Sequence, residues 1–231
     1  MQLQQTAILV FAQTAQAEQG NKSFALHKHG AAYFQYLNRI VFQKVQKTGL
    51  PFFIFSEKEQ VGKTFGEKIS NAVNAVFEKG FQNIMIVGND SPQLQTKHLL
   101  KAHQQILLGN TVIGKNCRGG AYLIAFNKKW YQHQPFKNVS WQSNQLYHDL
   151  CGLFTNTINI GLPTLIDINA KADAVAVFST LAYTCQLKKL LVNLLQYTQL
   201  FATNLFFQLY LQPIVSHKGL RAPPSAVFIV A

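Results

Sequence analysis

The chain has 231 residues, of which 48% are hydrophobic and 13% charged, and its formal net charge is +12. The apolar content excludes an intrinsically disordered chain, and the length suits one domain better than two, so we expect a single domain over residues 1–231. The positive charge favours anionic partners such as nucleotides, nucleic acid or an acidic membrane.

Apolar runs and segments of helical spacing alternate along the first half of the chain. The run Ala7–Ala12 predicts a buried strand, and the polar stretch Gln13–Lys22 predicts a loop above the end of that strand. The later elements are predicted in this order: a helix within Phe24–Lys47, a strand over Pro51–Phe55, a helix over Glu67–Lys79 that ends at Gly80, a strand over Asn83–Val87, a helix N-capped by Thr96, and an extended segment from Thr111. This alternation predicts an α/β fold with a three-layer, mostly parallel, doubly wound sheet.

The last part of the chain, residues 179–231, predicts a helical extension followed by a short strand at Ala226–Val230. The aromatic segment Phe201–Tyr210 is expected to cover the core or, as the alternative, to pair two subunits of a homodimer. The apolar stretch Leu187–Leu211 is interrupted by charged and amide residues, so we do not expect it to span a membrane.

The cysteines and the N-terminal segment indicate the cellular compartment. Cys117, Cys151 and Cys185 lack the spacing of a disulfide framework or a zinc site, and they suit a reducing compartment. Residues 7–17 faintly resemble a signal peptide but have no basic region before the apolar run, so we interpret them as part of the fold. We therefore expect a cytoplasmic protein.

Two local motifs are rejected as functional signals. Gly62-Lys63-Thr64 matches a fragment of a phosphate-binding P-loop, but Glu57 stands where that loop needs glycine. His27 and His29 lie two residues apart, which on a helix directs them to different faces, so a shared metal site is not expected.

The strand Asn83–Val87 leads into the sequence Gly88-Asn89-Asp90-Ser91-Pro92. In open α/β sheets the ligand lies beyond the carboxyl ends of the strands, so we expect it at this turn, near Gln13–Lys22 and near Gly114–Gly120. A carboxylate at a strand end can hold Mg²⁺ or Mn²⁺ against the phosphates of a nucleotide. The alternative is that Asp90 is a turn or helix-cap residue.

The paired glycines Gly119 and Gly120 come directly before an apolar strand. Glycine pairs allow a backbone to approach a ligand closely, and they equally permit a tight turn without any ligand. Both interpretations stay open.

Six segments, in this order along the chain, resemble the motifs of GT-A-like bacterial glycosyltransferases, or nucleotide-diphospho-sugar transferases. The resemblance covers residues 6–178. It is carried by the opening strand Ala7–Ala12, by TFGEKISNAVNAVFEKG beside a GxRM-type helix, IVGNDSPQL beside GSDCPxL, VIGKNCRGGAYLIA beside VLGPAxDGGYYLIG, VSWQS beside IxWST, and LIDINAKAD beside LxDIDTxED.

The resemblance implies a site for a nucleotide sugar, in which a divalent metal, Mg²⁺ or Mn²⁺, bridges acidic residues and the diphosphate as the nucleoside diphosphate leaves. Asp90 is then the metal ligand and, together with Asp167, a catalytic residue. The residues that the resemblance implies for nucleotide or phosphate binding are Lys22, Gly88, Asn89, Arg118, Gly119 and Gly120.

Departures from the family pattern mark a degenerate member. The family's basic PGKVKTRL-type loop reads AQAEQGNKSFAL here, Arg118 replaces an acid before the glycine pair, and Asn169 replaces the second acid of the closing motif. One resulting hypothesis is a transferase in which Arg118 contacts the diphosphate directly. Another is a pseudo-enzyme that binds a nucleotide or another partner without turnover. A third, a nucleic-acid-binding protein, agrees with the net charge but lacks a clustered basic patch.

Overall fold

The computed structural model describes residues 6–22, 30–158, 160–182 and 184–195, all within one compact unit. The strands are β1 (Thr6–Phe11), β2 (Phe52–Phe55), β3 (Asn83–Val87), β4 (Val112–Lys115) and β5 (Ala121–Asn127). The helices are α1 (Ala15–Asn21), α2 (Gly30–Gln46), α3 (Phe65–Glu78), α4 (Thr96–Leu107), α5 (His133–Asn138), α6 (Leu146–Leu153), α7 (Lys171–Thr180) and α8 (Gln186–Leu195), with a short 3-10 helix at Lys128–Trp130.

The five strands form one sheet in the order β2-β1-β3-β5-β4. β1 pairs in parallel with β2 and β3, whereas β5 runs antiparallel to both β3 and β4. Only residues 116–120 join β4 to β5, and a connection that short cannot cross over to make a parallel pair. The sheet is mostly parallel, as predicted, and its antiparallel strand lies inside the sheet.

Helices cover both faces of the sheet, so the unit has three layers. On one face the buried β-strand residues, Leu9 and Phe126 among them, pack against α3, α5 and α6 in an aromatic-rich cluster. On the other face Ile8, Val10 and Met85 pack against α2 and α4. Because both faces are buried, β1 and β3 consist of continuous apolar runs, the pattern from which they were predicted.

Two predicted details of the chain path are wrong. The stretch Gln13–Lys22 contains the helix α1, which begins after Thr14, whose side-chain oxygen accepts a hydrogen bond from the backbone N–H of Ala17. Thr14 is itself held by Glu57, which accepts its N–H and its hydroxyl, each at 2.7 Å. Thr96 is the first residue of α4 and not its N-cap, which is Gln95. A polar stretch shows no hydrophobic period, so the sequence pattern missed α1.

The C-terminal segment is described as far as residue 195 and includes the helix α8. The segments Phe201–Tyr210 and Ala226–Val230 lie outside the described residues, as do His27 and His29. Among the helices of the described part, none has the length and apolar character needed to cross a bilayer.

Lys44 connects α2 to the turn after β3, because its ammonium group donates to the carbonyl oxygen of Pro92 at 2.8 Å. Burial lowers the pKa of Lys44 from 10.5 to about 8. The unfolded chain keeps this proton up to the higher value, so the free energy of unfolding rises with pH between about 8 and 10.5. Allowing for solvent screening of this half-buried group, we expect a gain on the order of 1 kcal/mol over that interval.

The gain is measured by urea unfolding across this pH interval, with the Lys44→Met variant as the reference. The variant keeps most of the side-chain bulk and cannot titrate, so its curve isolates the lysine from all other groups. Parallel pH profiles for the two proteins would contradict the assignment.

Candidate functional site

A crevice of about 980 Å³ lies where β1 and β3 end. Its floor is formed by Phe11 and Val87, which end neighbouring parallel strands, and its walls include the turns that follow each of them. Ligands of open α/β sheets bind at this position, beyond the carboxyl ends of the strands. The described structure therefore offers a pocket at the place that the strand pattern indicated.

The crevice brings together most of the residues that the sequence singled out. Those that line it are Lys22, Gly88, Asn89, Asp90, Arg118, Gly120 and Asp167. Among the described residues that line the crevice, Gly119 is absent, although its neighbours Arg118 and Gly120 are present. The backbone of Gly119 packs against Asn144.

Asp90 lies in the turn after β3 and is about one-third exposed. Its backbone oxygen accepts the N–H of Ile168 at 2.9 Å. This hydrogen bond joins the LIDINAKAD segment to the turn after β3. The neighbouring Asn89 is buried, and its amide donates to Asn38 Oδ1 at 2.7 Å. Asn89 thus holds the turn against α2, and the turn presents the Asp90 side chain to the crevice.

Lys22 contacts three oxygen atoms at one end of the crevice. Its Nζ lies 2.7 Å from Asp90 Oδ1 and 2.9 Å from Glu18 Oε1, and it donates to the Ile168 carbonyl oxygen at 3.0 Å. Burial lowers the pKa of Lys22, but the attraction of Asp90 and Glu18 outweighs it, and the net result is a raised pKa. Lys22 is therefore a cation at neutral pH.

Asp167 is held by two neutral donors. The hydroxyl of Ser91 donates to Oδ1, and the side-chain amide of Asn116 donates to Oδ2 at 2.5 Å. Burial raises the pKa of Asp167, against the opposing effect of these two hydrogen bonds. The carboxylate is thus fixed in orientation next to the Asp90 turn, 76 residues away from Ser91 in sequence.

Asn116 organises the glycine turn between β4 and β5. Its Oδ1 accepts the backbone N–H of Arg118 at 2.9 Å and that of Gly120 at 2.6 Å. Gly119 has a φ of +81°, and a Cβ there would overlap the backbone oxygen of Asn144. Both conditions belong to the turn and its packing, so the tight-turn interpretation of the glycine pair accounts for Gly119.

Arg118 lies on the rim of the crevice with its side chain 54% exposed. Its Nη2 lies 2.5 Å from Oδ1 of the buried Asp173, and a guanidinium has several further N–H donors. Asp173 also caps α7, because its Oδ2 accepts the backbone N–H groups of Asn169 and Ala170 at 3.1 and 2.8 Å. Arg118 is therefore positioned by a fixed carboxylate.

The opposite wall carries Lys63 and Lys68, at the start of α3. Neither forms an ion pair within the part of the chain that the structure describes. Thr64 and Glu67 form the capping box of α3, so Gly62-Lys63-Thr64 marks the start of this helix. The sequence analysis rejected this motif because Glu57 replaces the required glycine, and it did not predict that Lys63 lines the crevice.

The VSWQS segment forms another part of the wall through Trp141, Gln142 and Ser143. Trp141 packs against Phe65 and Phe136, with ring centroids 5.5 and 5.1 Å away. Gln142 adopts a φ of +61°, an uncommon conformation for a residue other than glycine. The segment is thus held rigidly beside α3.

The side chains around Asp90 show whether a divalent metal could be bound there. In the described part of the chain, no three His, Cys, Asp or Glu side chains are grouped to hold a metal ion. One of the two Asp90 carboxylate oxygens, Oδ1, is already 2.7 Å from the Lys22 ammonium. The donor set does not fit a divalent ion while Lys22 stays in place, and Asp90 as a metal ligand remains a prediction.

The sequence patterns did not point to Lys63 and Lys68 on the crevice wall, nor to Glu18, Asn116 and Asp173. Glu18 was assigned to a loop, although Thr14 followed by an acidic residue is a helix-start signal that could have revealed it. Asn116 and Asp173 lie inside motifs that were recognised, but their hydrogen bonds join segments far apart in sequence. No local pattern reports such contacts.

The family comparison matches residues 40–143 to a family described as uncharacterized proteins conserved in bacteria (DUF2064). A comparison with curated protein sequences finds no significant match.

Among solved structures, a proposed nucleotide-diphospho-sugar transferase from Desulfovibrio desulfuricans G20 is similar at a TM-score of 0.71 and 16% identity, covering 90% of this chain and 99% of that one. A cytidylyltransferase from Leptospira borgpetersenii serovar Hardjo-bovis (strain JB197) reaches a TM-score of 0.45 and 12% identity, covering 87% and 96%. The first similarity establishes a shared fold, and the second is too distant to bear on it. The comparisons confirm the resemblance inferred from the ordered motifs at the level of the fold, which this chain shares with the proposed nucleotide-diphospho-sugar transferase.

Proposed function

We propose that the crevice binds the diphosphate group of a nucleotide sugar directly through basic side chains, in a doubly wound scaffold of GT-A type. The observation that carries the proposal is the pair Lys63 and Lys68, which line the crevice without an ion-pair partner among the described residues. Lysine ammonium groups bind phosphates as point charges. A crevice of about 980 Å³ is large enough for a ligand of this size.

The charges around the crevice support an anionic ligand. Its lining has four cations, Lys22, Lys63, Lys68 and Arg118, and three carboxylates, Glu18, Asp90 and Asp167. Lys22 neutralises part of the carboxylate charge at one end, whereas Lys63 and Lys68, which form no ion pair with any described residue, lie on the wall at α3. An incoming diphosphate is therefore attracted to the α3 side and to the Arg118 rim.

For glycosyl transfer, the same cations have a chemical role. Lys63, Lys68 and Arg118 stabilise the negative charge that develops on the departing nucleoside diphosphate. Asp90, whose carboxylate is partly exposed, is the group placed to accept a proton from the acceptor hydroxyl, and Asp167 orients the turn beside it.

The second candidate, binding without turnover, is favoured by one observation. The two carboxylates given a role in the transfer already have internal partners: Lys22 for Asp90, and Ser91 with Asn116 for Asp167. Both candidates bind the nucleotide sugar, but only the transferase releases free sugar or a glycosylated acceptor.

Lys63→Ala tests the binding step. Loss of one charge-assisted contact weakens the affinity for a nucleoside diphosphate by roughly tenfold, measured by isothermal titration calorimetry across a panel of bases. Lys63 is exposed and unpaired among the described residues, so its removal leaves the fold intact.

The matched control is Lys97→Ala, which removes the same charge from the exposed surface of α4, outside the crevice lining. We expect it to bind as the wild type does. Equal losses in both variants would indicate a general charge effect, and no binding of any nucleotide would refute the proposal.

A further inference from the structure

We propose that Lys22 is a built-in cation that takes the place of a divalent metal, so that this site holds its carboxylates together and receives its ligand without Mg²⁺ or Mn²⁺. This proposal goes beyond nucleotide binding, because it concerns the carboxylates of Glu18 and Asp90 and can be tested with the metal alone.

The ammonium group has the surroundings of a hard cation. It contacts three oxygen atoms, from the carboxylates of Glu18 and Asp90 and the backbone carbonyl of Ile168, at 2.7 to 3.0 Å. Mg²⁺ sites in proteins use one or two carboxylates with further oxygen ligands. In this protein the ammonium group of Lys22 lies between oxygens of the same kind.

The lysine is enclosed and is not a surface ion pair. Its side chain is 12% exposed and that of Glu18 10%, and the ring of Phe34 lies 5.6 Å from the ammonium. A second cation in contact with the same three oxygens would lie close to the Lys22 ammonium, and the two like charges would repel each other. A divalent ion and the ammonium therefore exclude each other.

The oxygens are held in place by the fold. Glu18 lies in α1, whose start is fixed by the hydrogen bonds between Thr14 and Glu57. The Ile168 carbonyl is fixed because the Ile168 N–H binds the Asp90 backbone oxygen. The three oxygens thus converge from three separate segments, and removal of the lysine side chain leaves them facing a gap.

Lys22→Ala is expected to create a divalent-cation site. The free carboxylates of Glu18 and Asp90 then bind Mn²⁺ roughly tenfold or more tightly than the wild type does, detected as loss of the free Mn²⁺ signal in electron paramagnetic resonance. Adding Asp90→Asn to this variant abolishes the gain, whereas adding Lys97→Ala, on the surface of α4, does not.

The wild-type protein decides the inference independently of the variant's folding. Millimolar Mn²⁺ leaves the wild type and Asp90→Asn with the same free-ion signal if Lys22 holds the site. Mn²⁺ binding to the wild type that Asp90→Asn removes would overturn the inference. So would a Lys22→Ala protein that folds, as checked by circular dichroism, and gains no Mn²⁺ affinity.

Nucleotide binding is measured separately, with EDTA and with Mn²⁺. Equal affinities in the two conditions support the inference, and an affinity that requires Mn²⁺ and Asp90 contradicts it. Failure to bind any nucleotide refutes the proposed function but leaves the comparison of Mn²⁺ binding valid.

Discussion

Gly119→Ala is expected to destabilise the protein by about 3 kcal/mol or more, because two separate constraints exclude a side chain at this position. The φ of +81° lies in the left-handed region, and a Cβ there would overlap the backbone oxygen of Asn144. Backbone cannot move aside as a flexible side chain can. The carbonyl oxygen of Gly119 also accepts the N–H of Tyr147 at 2.9 Å, so a shift of the turn pulls on the start of α6.

Urea unfolding measures this effect, and Gly152→Ala is the matched control. Gly152 lies in α6, has no φ in the left-handed region, and an added Cβ meets nothing within 4 Å. Alanine there should leave stability unchanged or raise it by about 0.5–1 kcal/mol through helix propensity. If both variants unfold at the same urea concentration, the assigned clash at Gly119 is wrong.

Asn116→Ala is expected to lower the free energy of unfolding by about 2–4 kcal/mol and to weaken ligand binding as well. The buried side-chain amide of Asn116 accepts the N–H groups of Arg118 and Gly120 and donates to Asp167. Its loss leaves these groups without their partner and frees the turn that carries Arg118. Asn71→Ala is the control, since Asn71 makes one exposed hydrogen bond to Val61 and should cost well under about 1 kcal/mol.

Asn116→Asp adds a pH signature to this prediction. The new carboxylate faces Asp167, whose pKa is already raised by burial, and two like charges raise it further. A raised carboxyl pKa contributes stability below the ordinary value of 3.8 and loses it as the pH rises toward the folded-state value. The deficit relative to the wild type should therefore be larger at neutral pH than at mildly acidic pH. A deficit independent of pH would indicate that the two carboxyl groups do not interact.

The sequence predicted the sheet and the position of the site for a physical reason. β1 and β3 are buried on both faces, so each is a continuous apolar run that can be recognised without knowledge of its neighbours. The polar turn after such a strand must lie at a sheet edge, which is why Asp90 was correctly placed at the crevice. The direction of β5 was not predicted, although the short connection from β4 implies it.

Contacts between distant segments could not be predicted in this way. Lys22 was assigned to phosphate, yet its ammonium lies on Glu18 and Asp90; Arg118 was assigned to phosphate, yet it also pairs with Asp173, 55 residues away. Both residues line the crevice, and their roles in phosphate binding stay predictions. Their partners within the protein could not be predicted, because pairing depends on which turns meet at the sheet edge.

By itself, the amino-acid sequence determined the alternation of strands and helices, the family resemblance and the turn that carries Asp90, because each depends on residues close together in the chain. The tertiary structure alone decided which charges neutralise one another and which form no ion pair among the described residues. Those pairings join α1 to the turn after β3 and the β4–β5 turn to α7, and attraction between charges acts through the distance in space, whatever their separation along the chain.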